Sequence, residues 1–349
     1  MTDRLAIFRA DASRDVGTGH VIRSRTLAQA LVGRGWTTML AARELPTSLA
    51  GSWPGGEAAV VRLPPDLAPA SEPALIAARA GRASLVVGDG YRLDAAWCEG
   101  MRDAQPGALL MAIDDLADRP LPVDLLLNQN LGAGPDAYAG LVPDDAQVLI
   151  GPVYALLRPE FAALRDRGRV RDGAVTRILV FMSGADGPDV TQRATAAVAG
   201  LGLPFDVVVG ASYQHLSGLR EQVAGLPQAT LHVNVPDIAD LMAGADLANG
   251  APSSASWERC ALGLPTLLVI LAQTQVSVGE ELDRLGAGLL LGWHTATHRA
   301  DIEAAVRALC ADRDRVAAMS GRAAAVTDGR GVDRVLSAID AGLSGRMVE

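Results

Sequence analysis

The feature that most constrains the fold is a regular alternation of short apolar runs with Ala/Leu/Arg-rich stretches of helical length. Runs that are apolar throughout, rather than at every second position, are typical of strands in parallel sheets that helices cover on both faces. The sequence therefore predicts an α/β fold built from doubly wound parallel sheets. The runs begin at residues 5, 37, 59, 85, 109, 124 and 148 in the first half, and at 177, 205, 229, 246, 266 and 288 in the second.

Two such sheets are expected, because 349 residues suffice for two domains of ordinary size. The stretch LRDRGRVRDGAV between the halves is charged, contains glycine and lacks apolar periodicity. We predict an N-terminal Rossmann-like domain over 1–163, a linker over 164–175 and a C-terminal Rossmann-like domain over 176–330. The tail 331–349 has helical spacing and can pack anywhere, including on the first domain.

Composition narrows the possible partners. A formal net charge of −9 disfavours binding to nucleic acid or to an anionic membrane surface. The three cysteines show no metal-binding or disulfide spacing, and no segment approaches the roughly twenty apolar residues of a membrane span. The N-terminus is too short and too acidic for a signal sequence. We therefore expect a cytoplasmic protein with a small-molecule substrate, no metal and no cofactor.

Ligands of open α/β sheets bind at the carboxyl ends of the strands, so motifs that follow strands are the first candidates. After the first run comes Gly17-Thr-Gly19-His20, which opens a helical pattern. The glycines allow close backbone approach, Thr18 can cap the helix, and a helix N-terminus favours an anion. Imidazole can act as a general base at neutral pH. The alternative is a plain strand–helix turn with an exposed histidine.

Two further motifs follow strands in the same way. The stretch GDGYRLDAAW places Asp89 and Tyr91 at the sheet edge, although Asp-Gly is also common in turns. In FMSGAD, Ser183 and Gly184 allow backbone N–H groups to approach a phosphate. Because the Gly17–His20 loop and FMSGAD occupy equivalent positions in the two halves, a ligand between the domains is expected.

The segment AIDDLADRPLPVDLLLNQN carries two polar pairs. Asp114 and Asp115 are adjacent in an extended segment and point in opposite directions, so they do not form an obvious metal pair. Helix capping and surface solvation explain them as well as function does. Asn128 and Asn130 end a strand on one face and are possible hydrogen-bond donors to a substrate.

The stretch ANGAPSSASWERCALGLPTLLVILAQTQ combines a strand end, a small-residue loop and a helix start. Ser254 and Ser256 offer hydroxyl and N–H groups for a diphosphate, and the Glu258 carboxylate can accept both hydroxyls of a ribose. The alternative for Glu258 is helix capping. Gln275 follows the next strand.

Taken together, RADASRDVGTGHVIRSRTLAQAL, DGYRLD, IDDLADRPLPVDLLLNQN, YAGLVP, GPVYALLRPEF and GAPSSASWERCALGLP resemble, in order and spacing, a known enzyme family. It comprises the UDP-2,4-diacetamido-2,4,6-trideoxy-β-L-altropyranose hydrolases of pseudaminic acid biosynthesis. The resemblance extends from residue 8 to about residue 275. It implies a GT-B architecture related to the glycosyltransferase that makes lipid II, with two Rossmann-type domains facing a cleft.

The resemblance also implies the chemistry. UDP is held mainly by the C-terminal domain, the sugar faces the N-terminal domain, and His20 activates a water that attacks the anomeric carbon. The C–O bond breaks, UDP leaves and the configuration inverts, in a pathway that the family links to flagellar and other surface glycans. The residues expected to contact the substrate are Asp11, Gly17, Gly19, Tyr91, Asn130 and Gln275 for the sugar, and Ser183, Gly184, Ser254, Ser256 and Glu258 for UDP.

Some positions differ from the family pattern. Pro252 and Ser253 stand in a loop that more often has a further glycine, Ser183 replaces the first residue of a Gly-Gly pair, and Thr274 precedes Gln275 where asparagine is more usual. Two other functions are compatible with the same fold: a glycosyltransferase that uses a UDP-sugar donor, and a nucleotide-sugar-binding protein without catalytic activity.

Overall fold

The computed structural model describes residues 4–13, 17–184, 186–235 and 238–346. The chain divides into two compact units, each with its own sheet. The first unit comprises Met1–Leu157 and Arg330–Glu349, and the second comprises Arg158–Gly329. Among the described residues, no helix is both long and apolar enough to cross a membrane.

Within the described residues, the first unit contains a seven-stranded parallel sheet in the order β3-β2-β1-β4-β5-β6-β7. The order reverses direction between β1 and β4, where Ala10 pairs with Asp89. The strands are β1 Leu5–Ala10, β2 Thr37–Ala42, β3 Val60–Arg62, β4 Leu85–Asp89, β5 Leu109–Ile113, β6 Leu125–Asn128 and β7 Gln147–Ile150. The helices are α1 Gly19–Gly33, α2 Thr47–Gly51, α3 Glu72–Ala80 and α4 Ala95–Ala104, and α13 Gly331–Arg346 from the end of the chain.

The second unit contains, in its described part, a six-stranded parallel sheet in the order β10-β9-β8-β11-β12-β13. Here the order reverses between β8 and β11. The strands are β8 Ile178–Phe181, β9 Phe205–Val209, β10 Ala229–Val233, β11 Leu247–Gly250, β12 Thr266–Ile270 and β13 Gly288–Trp293. The helices are α5 Pro159–Asp166, α6 Val190–Ala199, α7 Leu216–Ala224, α8 Ile238–Gly244, α9 Ala255–Ala261, α10 Val276–Arg284, α11 Arg299–Ala311 and α12 Arg313–Val326.

The predicted α/β class is confirmed, since each of the thirteen predicted apolar runs overlaps a strand. The central strands β4, β5, β9 and β12 are buried at every residue, because helices cover both faces of each sheet. This double burial is the physical reason for runs that are apolar throughout.

The stretch 164–175, predicted as a linker, lies within the second unit and begins inside α5. Its arginines bind backbone carbonyl groups near helix ends. Arg165 donates to the carbonyl oxygens of Ala261 and Ala324 at 2.8 Å each, and Arg171 donates to that of Met242 at 3.1 Å. Guanidinium groups that cap helix C-termini explain why this stretch is charged and lacks apolar periodicity.

The tail helix α13 packs on the sheet of the first unit. Val335, Leu336 and Ile339 are buried in the same core as Leu27 of α1. The helix α13, at the end of the chain, therefore completes the core of the unit in which the chain begins.

Candidate active site

His20 is the second residue of α1 and lies at the point where the sheet of the first unit reverses direction. The loop before it turns at Gly17, whose φ of +79° favours glycine. Because Ala10 of β1 pairs with Asp89 of β4, the start of α1 comes next to the end of β4. The His20 Nδ1 atom is 2.5 Å from Oδ1 of Asp89, and both side chains are buried.

Arg23 lies three residues after His20, on the same face of α1, and binds the same carboxylate. Its Nε atom donates to Oδ2 of Asp89 at 2.7 Å and its Nη2 atom to Oδ1 at 2.6 Å. Its Nη1 atom donates to Oδ1 of Asp115 at 2.9 Å. Burial acts to raise the pKa of Asp89, but the charge of Arg23 and the hydrogen bonds from Arg23 and His20 outweigh it and lower the pKa to about 2.

Tyr91 and Asn130 complete this group of side chains. The ring of Tyr91 meets that of His20 edge-on, with 4.8 Å between centroids. Burial and the charge of Asp115 raise the pKa of Tyr91 to about 12, so its hydroxyl remains a proton donor at neutral pH. The Asn130 amide donates to Oδ1 of Asp115 at 3.0 Å. We call the following residues the histidine cluster: His20, Arg23, Asp89, Tyr91, Asp115 and Asn130.

The pairing defines what His20 can do chemically. Asp89 remains a carboxylate at neutral pH and can only accept a hydrogen bond, so the Nδ1 atom of neutral His20 must carry the proton. The Nε2 atom then has a free lone pair. This is the arrangement of a general base that a carboxylate orients and whose imidazolium form that carboxylate stabilises.

The structure thus brings His20, Tyr91 and Asn130 into one group of side chains. Asp89 and Asp115 were noted in the sequence without these roles, and Arg23 was not singled out. The spacing of Arg23 from His20 on a helix is the signal that could have identified it. The adjacent aspartates point in opposite directions, as expected. Asp115 accepts from Arg23, whereas Asp114 accepts from the Tyr138 hydroxyl at 2.9 Å.

Among the described residues, Asp11 binds groups outside the histidine cluster. Its Oδ1 atom accepts from the backbone N–H groups of Arg43 at 2.7 Å and Glu44 at 3.2 Å, and its Oδ2 atom lies 2.8 Å from the Arg9 guanidinium. These contacts anchor the loop that follows β1. Gly17 pairs with Ser13 across this loop, and Gly19 begins α1. Thr18 occupies the N-cap position, but its side chain makes no capping hydrogen bond.

In the second unit, the residues predicted to bind UDP follow β8 and β11, where that sheet reverses direction. Ser183 accepts a hydrogen bond from the N–H group of Asp186 at 2.8 Å through its hydroxyl, and the Gly184 carbonyl accepts from the N–H group of Gly210 at 3.0 Å. The neighbouring Ala185 lies outside the described residues. Asp186 in turn caps α6, accepting from the N–H group of Thr191 at 2.7 Å.

The loop after β11, residues 251–254, leads into α9. Ser254 is exposed, whereas Ser256 is buried and accepts a hydrogen bond from Arg259 at 3.0 Å through its hydroxyl. Glu258 is partly buried, and its Oε1 atom lies 3.7 Å from the Arg158 guanidinium. Burial raises the pKa of Glu258 although the charges of Arg158 and Arg259 act against it.

Gln275 ends a short 3-10 helix, Gln273–Gln275, that follows β12. Its side-chain oxygen accepts from the N–H group of Leu271 at 2.9 Å, which shapes this loop. In the parts of the chain that the structure describes, no group of three or more His, Cys, Asp or Glu side chains is arranged to hold a metal ion.

Comparison with known proteins identifies one curated relative with a partial match. The spore coat polysaccharide biosynthesis protein SpsG of Bacillus subtilis (strain 168) is 26% identical over 157 residues, which cover 43% of this chain. The match spans only 45% of the length of SpsG. No family model matches the chain.

Similar solved structures cover nearly the whole chain. MurG of Acinetobacter baumannii matches with a TM-score of 0.66 at 15% identity, over 97% of this chain and 99% of MurG. The calicheamicin glycosyltransferase CalG4 matches with a TM-score of 0.58 at 17% identity, over 99% of both chains. MnaA of S. aureus, solved with UDP, matches with a TM-score of 0.63 at 13% identity, over 98% of this chain and 97% of MnaA. At these identities the likeness shows the fold: two Rossmann-type sheets of the GT-B class.

Proposed function

We propose that this protein is an enzyme that acts on a UDP-sugar and hydrolyses it to the free sugar and UDP. The observation that carries the proposal is the buried pair formed by His20 and Asp89, which leaves the Nε2 atom of His20 as a base. The GT-B fold supports the substrate class, because similar structures include a glycosyltransferase and a protein with bound UDP. SpsG, named for polysaccharide biosynthesis, agrees with sugar-nucleotide chemistry.

In this proposal, His20 takes a proton from a water molecule as that water attacks the anomeric carbon. The C–O bond to the diphosphate breaks, UDP leaves with the bonding electrons, and the configuration at the anomeric carbon inverts. Asp89 stabilises the imidazolium that forms, and Tyr91 and Asn130 position the sugar. General base catalysis of this kind typically contributes about 10²- to 10⁴-fold in rate.

UDP leaves with negative charge on its diphosphate, and helix N-termini and backbone N–H groups can stabilise that charge. We assign the diphosphate to the loops that contain Ser183, Gly184, Ser254 and Ser256, and the ribose hydroxyls to Glu258. A carboxylate can accept from both hydroxyls of a ribose. The resemblance of the sequence blocks favours UDP-2,4-diacetamido-2,4,6-trideoxy-β-L-altropyranose as the substrate and pseudaminic acid biosynthesis as the pathway.

The test is a coupled assay of UDP release, with NMR of the sugar product, on this substrate and on UDP-N-acetylglucosamine. We expect release from the first substrate, with inverted free sugar, and a loss of about a hundredfold or more in kcat for His20→Ala. His232→Ala is the matched control, because His232 also pairs with a buried aspartate, Asp206, at 2.7 Å but lies in β10 of the second unit. Full turnover by a folded His20→Ala protein would refute the mechanism.

A glycosyltransferase is the second candidate, because CalG4 shares the fold over 99% of both chains. A base such as His20 can deprotonate an acceptor hydroxyl as readily as water. Adding candidate acceptors to the same assay separates the two reactions: a product larger than the free sugar identifies transfer. UDP binding without any UDP release would instead identify a non-catalytic binding protein.

A further inference from the structure

Arg259 is a buried arginine in the second unit, and among the residues that the structure describes no carboxylate pairs with its positive charge. Its exposed fraction is 1%. Its Nη2 atom donates to the carbonyl oxygen of Ala251 at 2.7 Å and to the hydroxyl of Ser256 at 3.0 Å. Its Nε and Nη1 atoms have no hydrogen-bond partner among the residues that the structure describes.

An unpaired buried cation is energetically unfavourable, because the protein interior solvates charge poorly. Burial accordingly lowers the pKa of Arg259 to about 10, and the nearby charge of Glu258 only partly opposes this. Arg23 in the first unit is the contrast, since it is also buried but binds two carboxylates. The packing of the second unit therefore does not explain why a charged side chain occupies this position.

The position of the guanidinium supplies that explanation. A Cβ atom on Gly250, the last residue of β11, would lie 2.7 Å from Nη1 of Arg259 and 2.7 Å from the carbonyl oxygen of Phe181 at the end of β8. The charge therefore lies directly behind the backbone at the start of loop 251–254. This is the point where the strand order reverses and where a ligand of such a sheet binds.

We propose that Arg259 is the fixed counter-charge for the diphosphate of a nucleoside diphosphate bound over loop 251–254. Arg259 is a positioning residue: it acts through the loop backbone and through the Ser256 hydroxyl, whose oxygen accepts from Nη2 and whose proton remains available to the ligand. The inference rests on the proposed function for the class of ligand, and it adds the group that distinguishes a diphosphate from an uncharged nucleoside.

The experiment measures the dissociation constants of UDP, UMP and uridine by calorimetry for the wild type, Arg259→Met and Arg259→Lys. A unit charge facing a diphosphate across one layer of backbone is expected to change affinity by about tenfold or more. Arg259→Met should therefore weaken UDP binding by at least about tenfold and leave the affinity for uridine unchanged. Arg259→Lys keeps the charge and should retain most of the preference for UDP over uridine. This variant also keeps the test valid if the methionine variant does not fold.

Arg171→Met is the matched control. Arg171 is a partly buried arginine whose pKa is lowered to about 10 by burial and by the charge of Arg169. Its guanidinium, however, donates to the carbonyl oxygens of Met242 and Ala245. Its loss should lower the melting temperature without changing the ratio of UDP to uridine affinity.

Several results would overturn the inference: UDP binding by Arg259→Met that equals the wild type, equal weakening of UDP and uridine, or a wild type that binds UDP no better than uridine. None of these depends on catalysis. A wild type that binds UDP in an Arg259-dependent way but releases none from any UDP-sugar would refute the proposed hydrolysis and leave this inference standing.

Discussion

At the scale of single residues, one buried carboxylate, that of Asp89, links the side chains of the histidine cluster. Asp89 accepts from His20 and from two nitrogen atoms of Arg23, and Arg23 also binds Asp115. With neutral His20, these four side chains carry one positive and two negative charges. The surplus negative charge stabilises the imidazolium that forms when His20 accepts a proton.

Replacing Asp89 by asparagine tests this arrangement. The amide has lost the negative charge and can donate to Nδ1, which favours the tautomer in which Nε2 carries the proton and cannot act as a base. We expect kcat for UDP release to fall by about a hundredfold or more, while the affinity for UDP stays within about twofold. Steady-state kinetics and calorimetry on the same preparation check both values, and unchanged kcat would contradict the role given to Asp89.

Asp89 also predicts how stability depends on pH. Its pKa of about 2 in the folded protein lies below the ordinary value of 3.8. The Asp89 carboxyl therefore binds a proton less tightly in the folded protein than in the unfolded chain. Its contribution to the free energy of unfolding is present above about pH 4 and is lost as the pH falls towards 2. The difference corresponds to roughly 2 kcal/mol. Urea unfolding between pH 5 and pH 2 should show a smaller loss in Asp89→Asn than in the wild type, and equal losses would contradict it.

At the scale of elements, the contact between the end of β11 and α9 depends on the missing side chain of Gly250. A Cβ atom there would lie 2.7 Å from Nη1 of Arg259 and 2.7 Å from the backbone carbonyl oxygen of Phe181. The strand end can therefore approach the helix only with glycine at this position. Because the end of β11 and α9 lie this close, the Arg259 guanidinium lies behind loop 251–254.

We expect Gly250→Ala to lower the free energy of unfolding by about 1–3 kcal/mol, because overpacking forces the strand and helix apart. Gly321→Ala in α12 is the control: its added Cβ atom meets nothing within 4 Å, and alanine favours a helix by up to about 1 kcal/mol. Chemical denaturation of both variants measures their free energies of unfolding and tests this difference. A Gly250→Ala protein as stable as the control would show that the loop adapts without strain.

At the scale of the whole molecule, the chain leaves the first unit at Leu157 and returns to it at Arg330. Ile339 of α13 is 1% exposed and belongs to the core that also contains Leu27 and Leu127. Sequence distance is therefore a poor guide to which unit a residue stabilises.

Ile339→Ala should lower the stability of the first unit by about 2–5 kcal/mol through the cavity that it leaves. Hydrogen exchange resolved by peptide should show lost protection in β1, β4 and β5, with β8 and β9 unchanged. Ile302→Ala is the reciprocal control, since Ile302 is 0% exposed in the core of the second unit. Loss of protection in β8 and β9 upon Ile339→Ala would contradict the assignment of α13.

The sequence by itself determined the strands, the α/β class and the strand ends at which candidate residues lie. It could do so because burial on both faces of a parallel sheet requires apolar side chains at every position, a local property that each run displays. Tertiary structure alone decided which polar side chains meet. His20 and Asp89 are 69 residues apart and come together because β1 pairs with β4, and Arg259 lies behind Gly250 because α9 packs against the end of β11. Such pairings depend on strand order and helix packing, which no local pattern of residues encodes.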